Sequence, residues 1–253
     1  MNAHTPGLAT RPGPLRIDIE AKSYPAVAGR AAHPVLRNVS LEVEPRSFLV
    51  VTGPSGCGKS TLLNIVAGLD RDYAGLVRFG TPSPRLAFIF QSPRLLPWRT
   101  VEENVALALP EHDRRLAGIP ELLARVGLAG AETAFPERLS LGMQRRAAIA
   151  RAFVVEPDIL LMDEPFVSLD DPTADALRAL VLDLWRRTSA TVLFVTHDRT
   201  EAVRLATRVV RLRPLTGAGE TSIISSTPVD LTDEERADPA AVANVRAQVF
   251  GAP

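Results

Sequence analysis

The sequence has little cysteine, no long apolar run and no excess of charge of either sign, and each of these absences excludes a class of protein. Its one cysteine, Cys57, rules out a disulfide framework and favours a reducing compartment. No apolar run exceeds five residues, as at 105–109, whereas a membrane-spanning helix needs about 20. The 29 Lys and Arg residues balance the 29 Asp and Glu residues, so no overall positive field attracts nucleic acid, and we expect no nucleic-acid partner.

Length and composition favour a single large α/β domain over two small ones. The chain has 253 residues, of which 46% are hydrophobic and 23% are charged, which is ordinary for a soluble globular protein. Residues 1–14 are rich in Pro, Gly and Thr and lack the apolar stretch of a secretory signal, so we expect a disordered leader there.

Strand-like and helix-like patterns alternate along the chain, with a helical stretch in the middle. Strand patterns occur at 15–20, 35–43, 48–51, 75–79, 86–90, 159–162, 191–195 and 209–212. Helical periodicity fits 60–68, 173–187, 199–206 and 240–249, and it dominates 100–155; a loop is expected over 26–34. This alternation is typical of an α/β fold with a parallel sheet. The predicted parts are an α/β core over 15–90 and 156–213, a helical subdomain over 91–155 and a C-terminal tail over 214–253.

A glycine-rich stretch lies between a predicted strand and a predicted helix. Glycines let backbone N–H groups turn towards a phosphate, and the helix start adds the positive end of its dipole. Lys59, which with Lys22 makes up all the lysine of the chain, would reach the β- and γ-phosphates, and Ser60 would hold Mg²⁺. The alternatives are an accidental glycine-rich turn and, for Cys57, a reactive thiol instead of a small residue that fills a tight loop. The stretch that fits the phosphate-binding template consists of Gly53, Pro54, Ser55, Gly56, Cys57, Gly58, Lys59, Ser60 and Thr61.

Two carboxylates follow the apolar run 159–162. At the end of a buried strand Asp163 can reach Mg²⁺, and Glu164 can orient or deprotonate the water that attacks a γ-phosphate. Alone, two acids at a strand end can equally be solvated surface charges. His197 follows another core strand, and parallel sheets place ligands at the carboxyl ends of their strands, so we expect its imidazole near the same phosphate. The alternative for His197 is a histidine at a helix start, beside a capping Asp198.

Several short motifs together resemble the ATP-binding subunits of ABC transporters, and the resemblance covers residues 15–213. Residues 139–143, Leu-Ser-Leu-Gly-Met, resemble the signature motif Leu-Ser-Gly-Gly-Gln. Residues 168–170, Ser-Leu-Asp, resemble the D-loop, and Gln91 stands at the position of the Q-loop glutamine. The resemblance implies a P-loop NTPase core, with a parallel sheet and an antiparallel β part, into which a helical subdomain carrying the signature motif is inserted.

The resemblance also implies a head-to-tail pair, a homodimer in the simplest case, in which two cassettes enclose two ATP molecules. Each ATP then lies between the phosphate loop of one subunit and Ser140, Gly142 and Asp170 of the other. Ser140 suits this role because it is a good N-cap before a helical run, although an ordinary capped helix is the alternative. Gln91 is implied as a catalytic residue and Mg²⁺ ligand. Tyr24 is implied as the ring that stacks on adenine, with packing on the core as its alternative.

The signature stretch departs from the family pattern. Leu141 replaces a glycine, Met143 replaces the glutamine that ends the motif, and Arg145 replaces a second glutamine. If position 141 required φ > 0, leucine would be strained there. We favour the interpretation that Leu141 is the first helical residue, because Gly142 keeps the close approach to a phosphate. The departures therefore bear on ATP contacts with the second subunit and not on the fold.

The resemblance implies an ATPase, attached to the cytoplasmic face of the inner membrane, that powers transport through a separate permease. Leu95, Leu96 and Trp98 form an apolar stretch suited to docking on the permease, while burial of Trp98 in the helical part is the alternative. Residues 90–98 are similar to those of the nitrate, sulfonate and taurine importers, so we expect a small oxyanion or sulfonate as cargo, and a solute-binding protein acting through the permease. An ATPase subunit of an exporter or lipid transporter is the alternative, and a soluble ABC ATPase without a transport role is a further one.

Overall fold

A computed structural model describes residues 13–25, 32–215 and 220–251 of the chain. Its strands are β1 (Gly13–Tyr24), β2 (His33–Val43), β3 (Phe48–Thr52), β4 (Ala74–Gly80), β5 (Leu86–Ile89), β6 (Ile159–Asp163), β7 (Thr191–Thr196), β8 (Arg208–Leu212) and β9 (Ile223–Pro228). Its α-helices are α1 (Lys59–Val66), α2 (Val101–Ala106), α3 (Ile119–Arg125), α4 (Leu141–Phe153), α5 (Asp171–Arg186), α6 (Arg199–Leu205), α7 (Asp233–Ala237) and α8 (Pro239–Phe250). Short 3₁₀ helices span Arg114–Gly118 and Pro136–Arg138.

The first strand starts earlier than the sequence pattern indicates. β1 already includes Gly13 and Pro14, because β4 continues to pair with it as far as Gly80, whereas the apolar alternation begins only at Leu15. The rest of the predicted leader, residues 1–12, lies outside the described residues. So does most of the loop expected over 26–34, and β2 begins within the last part of that loop.

The larger sheet has six strands in the order β5-β6-β7-β3-β8-β9, and all neighbours pair in parallel except β8 and β9. β3 and β7 are buried along their whole length, as is typical of strands covered on both faces. The register pairs Thr52 with Thr196 and Asp163 with Val195. The carboxyl ends of β3, β6 and β7 therefore lie side by side, and the segments that follow these strands meet at one edge of the sheet.

The smaller sheet is antiparallel, with the strand order β2-β1-β4. Buried and exposed side chains alternate in β1, and Ile17 and Ile19 on its buried face belong to one apolar cluster with Val51 of β3 and Leu62 of α1. Burying such side chains contributes roughly 1.5–3 kcal/mol each. This packing fixes the small sheet against the helix that follows the glycine-rich stretch.

The chain between β5 and β6 is mainly helical. Thr100 and Glu103 form a capping box at the start of α2, in which each side chain accepts a hydrogen bond from the other residue's N–H group. The buried residues of α4, such as Ile149 and Phe153, join the apolar cluster on the face of the larger sheet opposite to α1. The helices present agree with the helical periodicity of 100–155, while the domain boundaries drawn from the sequence stay a prediction.

The last part of the chain extends the larger sheet. β9 pairs antiparallel with β8 at the sheet edge, and α8 buries Val242 and Val249. The sequence predicts a helix over 240–249, but β9 and α7 were not anticipated. Along β9 half-buried and exposed residues alternate and four of the six side chains are Ser, Thr or Pro, so its apolar pattern is weak. Within the described ranges, no helix has the length and apolar character needed to cross a membrane.

Candidate functional site

The glycine-rich stretch forms a tight loop between β3 and α1. Gly58 has φ 99°, and a Cβ there would stand 2.6 Å from Cδ2 of Leu36. Gly56 also has a positive φ of 80°, but a Cβ there would meet nothing within 4 Å, so the loop is open on that side. No side chain caps the start of α1, and its first turn carries no acidic residue. The free N–H groups and the helix dipole make this end of α1 suited to an anion.

Lys59 is buried at the base of this loop. Its ammonium donates to the carbonyl oxygens of Gly53 at 2.9 Å and Pro54 at 3.2 Å, and it lies 3.8 Å from Oε1 of Glu164. Carbonyl groups orient the ammonium without neutralising its charge. A phosphate group entering the loop would meet this cation together with the N–H groups of the helix start, so the residues present fit a phosphorylated ligand.

Ser60 and Asp163 face each other across the end of the larger sheet. The Ser60 hydroxyl donates to Oδ1 of Asp163 at 3.1 Å. Burial raises the pKa of Asp163, the Ser60 hydrogen bond opposes this rise, and the neighbouring Glu164 charge adds to it. Among the described residues no group of three or more His, Cys, Asp or Glu side chains could hold a metal ion alone. A hydroxyl and one carboxylate, with phosphate oxygens and water, nevertheless fit Mg²⁺, which is seldom held by an all-protein cage.

Glu164 adopts an unusual backbone conformation directly after β6. Its φ is 43°, and its N–H donates to the carbonyl of Val195 at 2.9 Å, at the end of the neighbouring β7. Its Oε2 lies 3.0 Å from Nδ1 of His197. Asp198 caps α6 by accepting from the N–H groups of Thr200 and Glu201, so His197 does precede a capped helix. Its ring nevertheless contacts Glu164, so a helix-start role does not account for it alone.

Gln91 follows β5 and is exposed on a loop beside Asp163. Both line one cleft of about 380 Å³, together with Arg94. The loop is held from α4, where the Arg151 guanidinium donates to the carbonyls of Pro93 at 2.7 Å and Arg94 at 2.8 Å. Burial lowers the pKa of Arg151. Arg151 was not anticipated from the sequence, because nothing local marks a side chain whose partners lie more than 50 positions away.

Tyr24 stands at the end of β1 with 41% of its surface exposed. Its hydroxyl lies 3.3 Å from Oγ1 of Thr61, and the Lys22 ammonium lies 4.7 Å from its ring centre. Tyr24 lines a cleft of about 270 Å³ with Gly56 and Lys59. The Tyr24 side chain is thus partly exposed at the mouth of the phosphate loop, and its stacking on adenine stays a prediction.

The residues that resemble the signature motif and the D-loop lie together on another cleft. Ser140 caps α4 by accepting from the N–H of Met143 at 3.2 Å, and Asp170 caps α5 by accepting from Thr173 at 3.0 Å. Leu141 is the first helical residue and has no positive φ. Ser140, Gly142 and Asp170 line a cleft of about 510 Å³ to which the phosphate loop contributes no residue.

An exposed tryptophan stands on a loop whose backbone is hydrogen-bonded to a buried asparagine. Trp98 is 69% exposed, so the alternative of burial in the helical part is wrong. Asn104 is fully buried, and its amide group donates to the carbonyls of Leu96, Arg99 and Thr100 and accepts from the N–H of Leu96. These four hydrogen bonds hold the loop in one conformation. Asn104 is a further residue that the sequence did not single out.

The fold and this site define a P-loop nucleotide-binding protein: a parallel sheet carries the phosphate loop after β3 and two carboxylates, Asp163 and Glu164, at the end of β6. Residues 36–167 match the family model described as "ABC transporter". The chain therefore belongs to the ABC transporter family and is one of its ATP-binding, ATP-hydrolysing cassettes. This confirms the predicted family and the predicted α/β P-loop fold with antiparallel and helical parts.

Named relatives and solved structures agree with this assignment. The chain is 43% identical over 209 residues to the aliphatic sulfonates import ATP-binding protein SsuB of Bacillus subtilis, covering 80% of this chain and 82% of that protein. It is 46% identical over 224 residues to SsuB 1 of Streptomyces avermitilis, covering 88% and 82%. Among solved structures, a dimeric structure of MJ0796, a bacterial ABC transporter cassette, is 29% identical with a TM-score of 0.71, covering 86% of this chain and 100% of that chain. A dimeric post-hydrolysis state of MJ0796 bound to ADP and Pi is 28% identical with a TM-score of 0.69, at the same coverage.

Proposed function

We propose that this chain hydrolyses ATP with Mg²⁺ to drive the import of a small sulfonate through a separate membrane permease. One observation supports hydrolysis most directly: the Glu164 carboxylate lies 3.0 Å from Nδ1 of His197 and 3.8 Å from Nζ of Lys59, at the edge of the larger sheet where the phosphate loop lies. A carboxylate beside a bound γ-phosphate is suited to orient the attacking water or to take its proton.

Each of the other site residues has a distinct role in the proposal. Lys59 binds the β- and γ-phosphates, and His197 holds the Glu164 carboxylate and contacts the γ-phosphate. Ser60 and Asp163, with Gln91, would hold Mg²⁺, which when bound neutralises charge on the phosphate oxygens. Tyr24 stacks on adenine, a contact that needs no base-specific hydrogen bond.

A second copy of the chain completes the site in this proposal. Ser140, Gly142 and Asp170 line a cleft that shares no residue with the cleft at Lys59, so we infer that they serve a nucleotide bound by another copy of the chain. Head-to-tail pairing would place this cleft over the loop of the partner, and the MJ0796 cassette structures, which are dimeric, support the pairing of two copies. Those N–H groups at the start of α4 that the Ser140 side chain does not bind would then face the γ-phosphate.

The permease contact is proposed for the loop that carries Trp98. A 69% exposed tryptophan on a loop fixed by the buried Asn104 has the character of an anchor, since aromatic side chains dominate protein interfaces. Docking there would keep the cassette on the cytoplasmic face of the membrane, and a solute-binding protein would deliver cargo to the permease.

The cargo is proposed from the relatives. Several proteins at 43–48% identity are named as import ATP-binding proteins for aliphatic sulfonates, which favours import over export and sulfonates over nitrate. The cassette itself does not contact the cargo in this scheme, so the choice rests on which permease it serves.

The experiment that tests this proposal measures ATP turnover, ATP binding and dimer formation of the variant Glu164→Gln in the presence of Mg²⁺ and ATP. We expect turnover to fall by at least about 100-fold, ATP binding to persist, and a dimer to form that depends on ATP, measured by phosphate release, equilibrium binding and light scattering. Glu156→Gln is a matched control, because Glu156 also has a positive φ, of 50°, but pairs with Arg85 at 3.3 Å instead. Turnover near the wild-type rate in Glu164→Gln would refute the assigned role.

A further inference from the structure

Arg145 is a buried arginine on the second turn of α4. It is 6% exposed, and its guanidinium donates through Nη1 to the carbonyl of Pro165 and through Nη2 to that of Val167, the latter at 3.0 Å. It thus connects α4, the helix that Ser140 caps, to the turn that follows Glu164. Family resemblance places a glutamine at this position, so the double contact belongs to this chain's own residue.

The charge of Arg145 is not neutralised by any ion pair that the structure records for the described residues. Burial lowers the pKa of the guanidinium, and its Nε is buried without a hydrogen-bond partner. A buried cation held only by carbonyl dipoles is costly compared with an apolar residue of similar size. Filling space on α4 therefore does not explain why an arginine stands here.

The turn that Arg145 binds is conformationally unusual. Glu164 and Ser168, at its two ends, have φ values of 43° and 62°, and the N–H of Val167 donates to the carbonyl of Glu164 at 3.3 Å. Non-glycine residues hold such conformations only where their surroundings fix them. The two carbonyls that Arg145 binds lie between these strained positions, so the guanidinium fixes the backbone that aims the Glu164 carboxylate.

We propose that Arg145 is a positioning residue that links the start of α4 to the Glu164 turn of the same chain. A nucleotide contact at Ser140, made with the partner's ATP, is transmitted through the rigid first turns of α4 and the guanidinium to the carboxylate that acts on this chain's own ATP. The inference rests on the proposed ATPase function and adds a physical connection between the two nucleotide sites of a pair.

The test compares Arg145→Met, Arg145→Gln and Arg145→Lys in the full chain, with steady-state ATPase kinetics and thermal unfolding. We expect Arg145→Met to lower kcat by about 10- to 100-fold, since a misplaced catalytic group can cost that much, while KM for ATP changes less than about 2-fold. Arg145→Lys keeps the positive charge but replaces a guanidinium that donates through two nitrogens with a single ammonium, so we expect it to recover part of kcat, with Arg145→Gln between Arg145→Lys and Arg145→Met.

A matched control separates positioning from general stability. Arg236 is half-buried and also donates to backbone carbonyls, including those of Val203, Arg204 and Ala206 at the end of α6, away from Glu164. Arg236→Gln should lose stability but keep kcat. If Arg145→Met does not fold, Arg145→Gln against Arg145→Lys carries the comparison. The proposal is overturned if every folded Arg145 variant has the kcat of wild type. It is also overturned if Arg236→Gln loses as much kcat as Arg145→Gln.

A double-variant cycle tests the link itself. If Ser140 acts through Arg145, the variant carrying both Ser140→Ala and Arg145→Gln loses no more activity than the worse single variant. A loss equal to the product of the two single losses overturns the link. A wild-type chain without any ATPase activity would instead refute the proposed function, so the two failures are distinguishable.

Discussion

Gly58, at the start of α1, offers a stability test of how the phosphate loop is built. Its φ is 99°, and a Cβ at this position would stand 2.6 Å from the Leu36 side chain and 3.0 Å from that of Val35. Gly58→Ala therefore meets both backbone strain and overpacking. Gly56→Ala is the matched control, because Gly56 has a φ of 80° but a Cβ there would touch nothing within 4 Å. Both variants gain the same rigidity in the unfolded chain, so that effect cancels in the comparison.

The magnitudes follow from these two costs. An alanine in the left-handed region costs about 1–2 kcal/mol in either variant. Overpacking against Leu36, which is 1% exposed and cannot move aside, adds about 1–3 kcal/mol in Gly58→Ala alone. We therefore expect Gly58→Ala to unfold at a Tm several degrees below that of Gly56→Ala, measured without nucleotide by circular dichroism. Equal stability of the two variants would show that the side chains of Val35 and Leu36 on β2 do not restrict position 58.

Four further changes have definite expected outcomes. Lys22→Met should cost about 3 kcal/mol, because it leaves the mostly buried Asp70 without its ion pair at 2.9 Å. Burial opposes the charged form of Lys22, but the Asp70 hydrogen bond and charge outweigh it and raise the pKa of Lys22 above 10.5. The stability difference between wild type and Lys22→Met, measured by urea unfolding, should therefore be constant from neutral pH to about pH 10.5 and shrink above it. Asn104→Ala should destabilise the chain by about 3 kcal/mol in the same assay, because four buried hydrogen bonds are lost. Trp98→Ser should leave the ATPase of the isolated cassette unchanged and abolish co-purification of the permease, and retained co-purification would move the docking site elsewhere. Leu141→Gly should not lower ATPase activity, since Leu141 is an ordinary first helical residue, and a marked loss would give the leucine a role of its own.

Much of the site was predictable because its determinants are local. The phosphate loop is one continuous stretch, and Asp163 and His197 each follow a short apolar run for which a buried strand is the best fit. Parallel strands then bring their carboxyl ends together without further information. The sequence predicted Ser140 as an N-cap for the same reason, and the structure places it there.

The contacts that were not predictable join distant segments. Arg145 and Arg151 differ in no local way from other arginines, and their carbonyl partners lie 20 or more positions away along the chain. Glu164 has a positive φ in the context of its hydrogen bond to Val195 of β7 and of the turn that follows it. The intrinsic backbone preference of glutamate does not predict such a φ. β9 was not predicted because an edge strand rich in Ser and Thr has little apolar pattern. It is stabilised instead by its pairing with β8.

The central claim is that this cassette converts ATP hydrolysis into sulfonate import through a permease. The most direct measurement is ATPase activity of the chain, reconstituted in lipid vesicles with the permease that co-purifies with it and the matching solute-binding protein, as alkanesulfonates, taurine or nitrate are added. We expect a sulfonate to stimulate phosphate release and to accumulate in the vesicles, and Glu164→Gln to abolish both. Stimulation by nitrate alone would contradict the proposed cargo, and sulfonate movement that continues with Glu164→Gln would contradict the coupling.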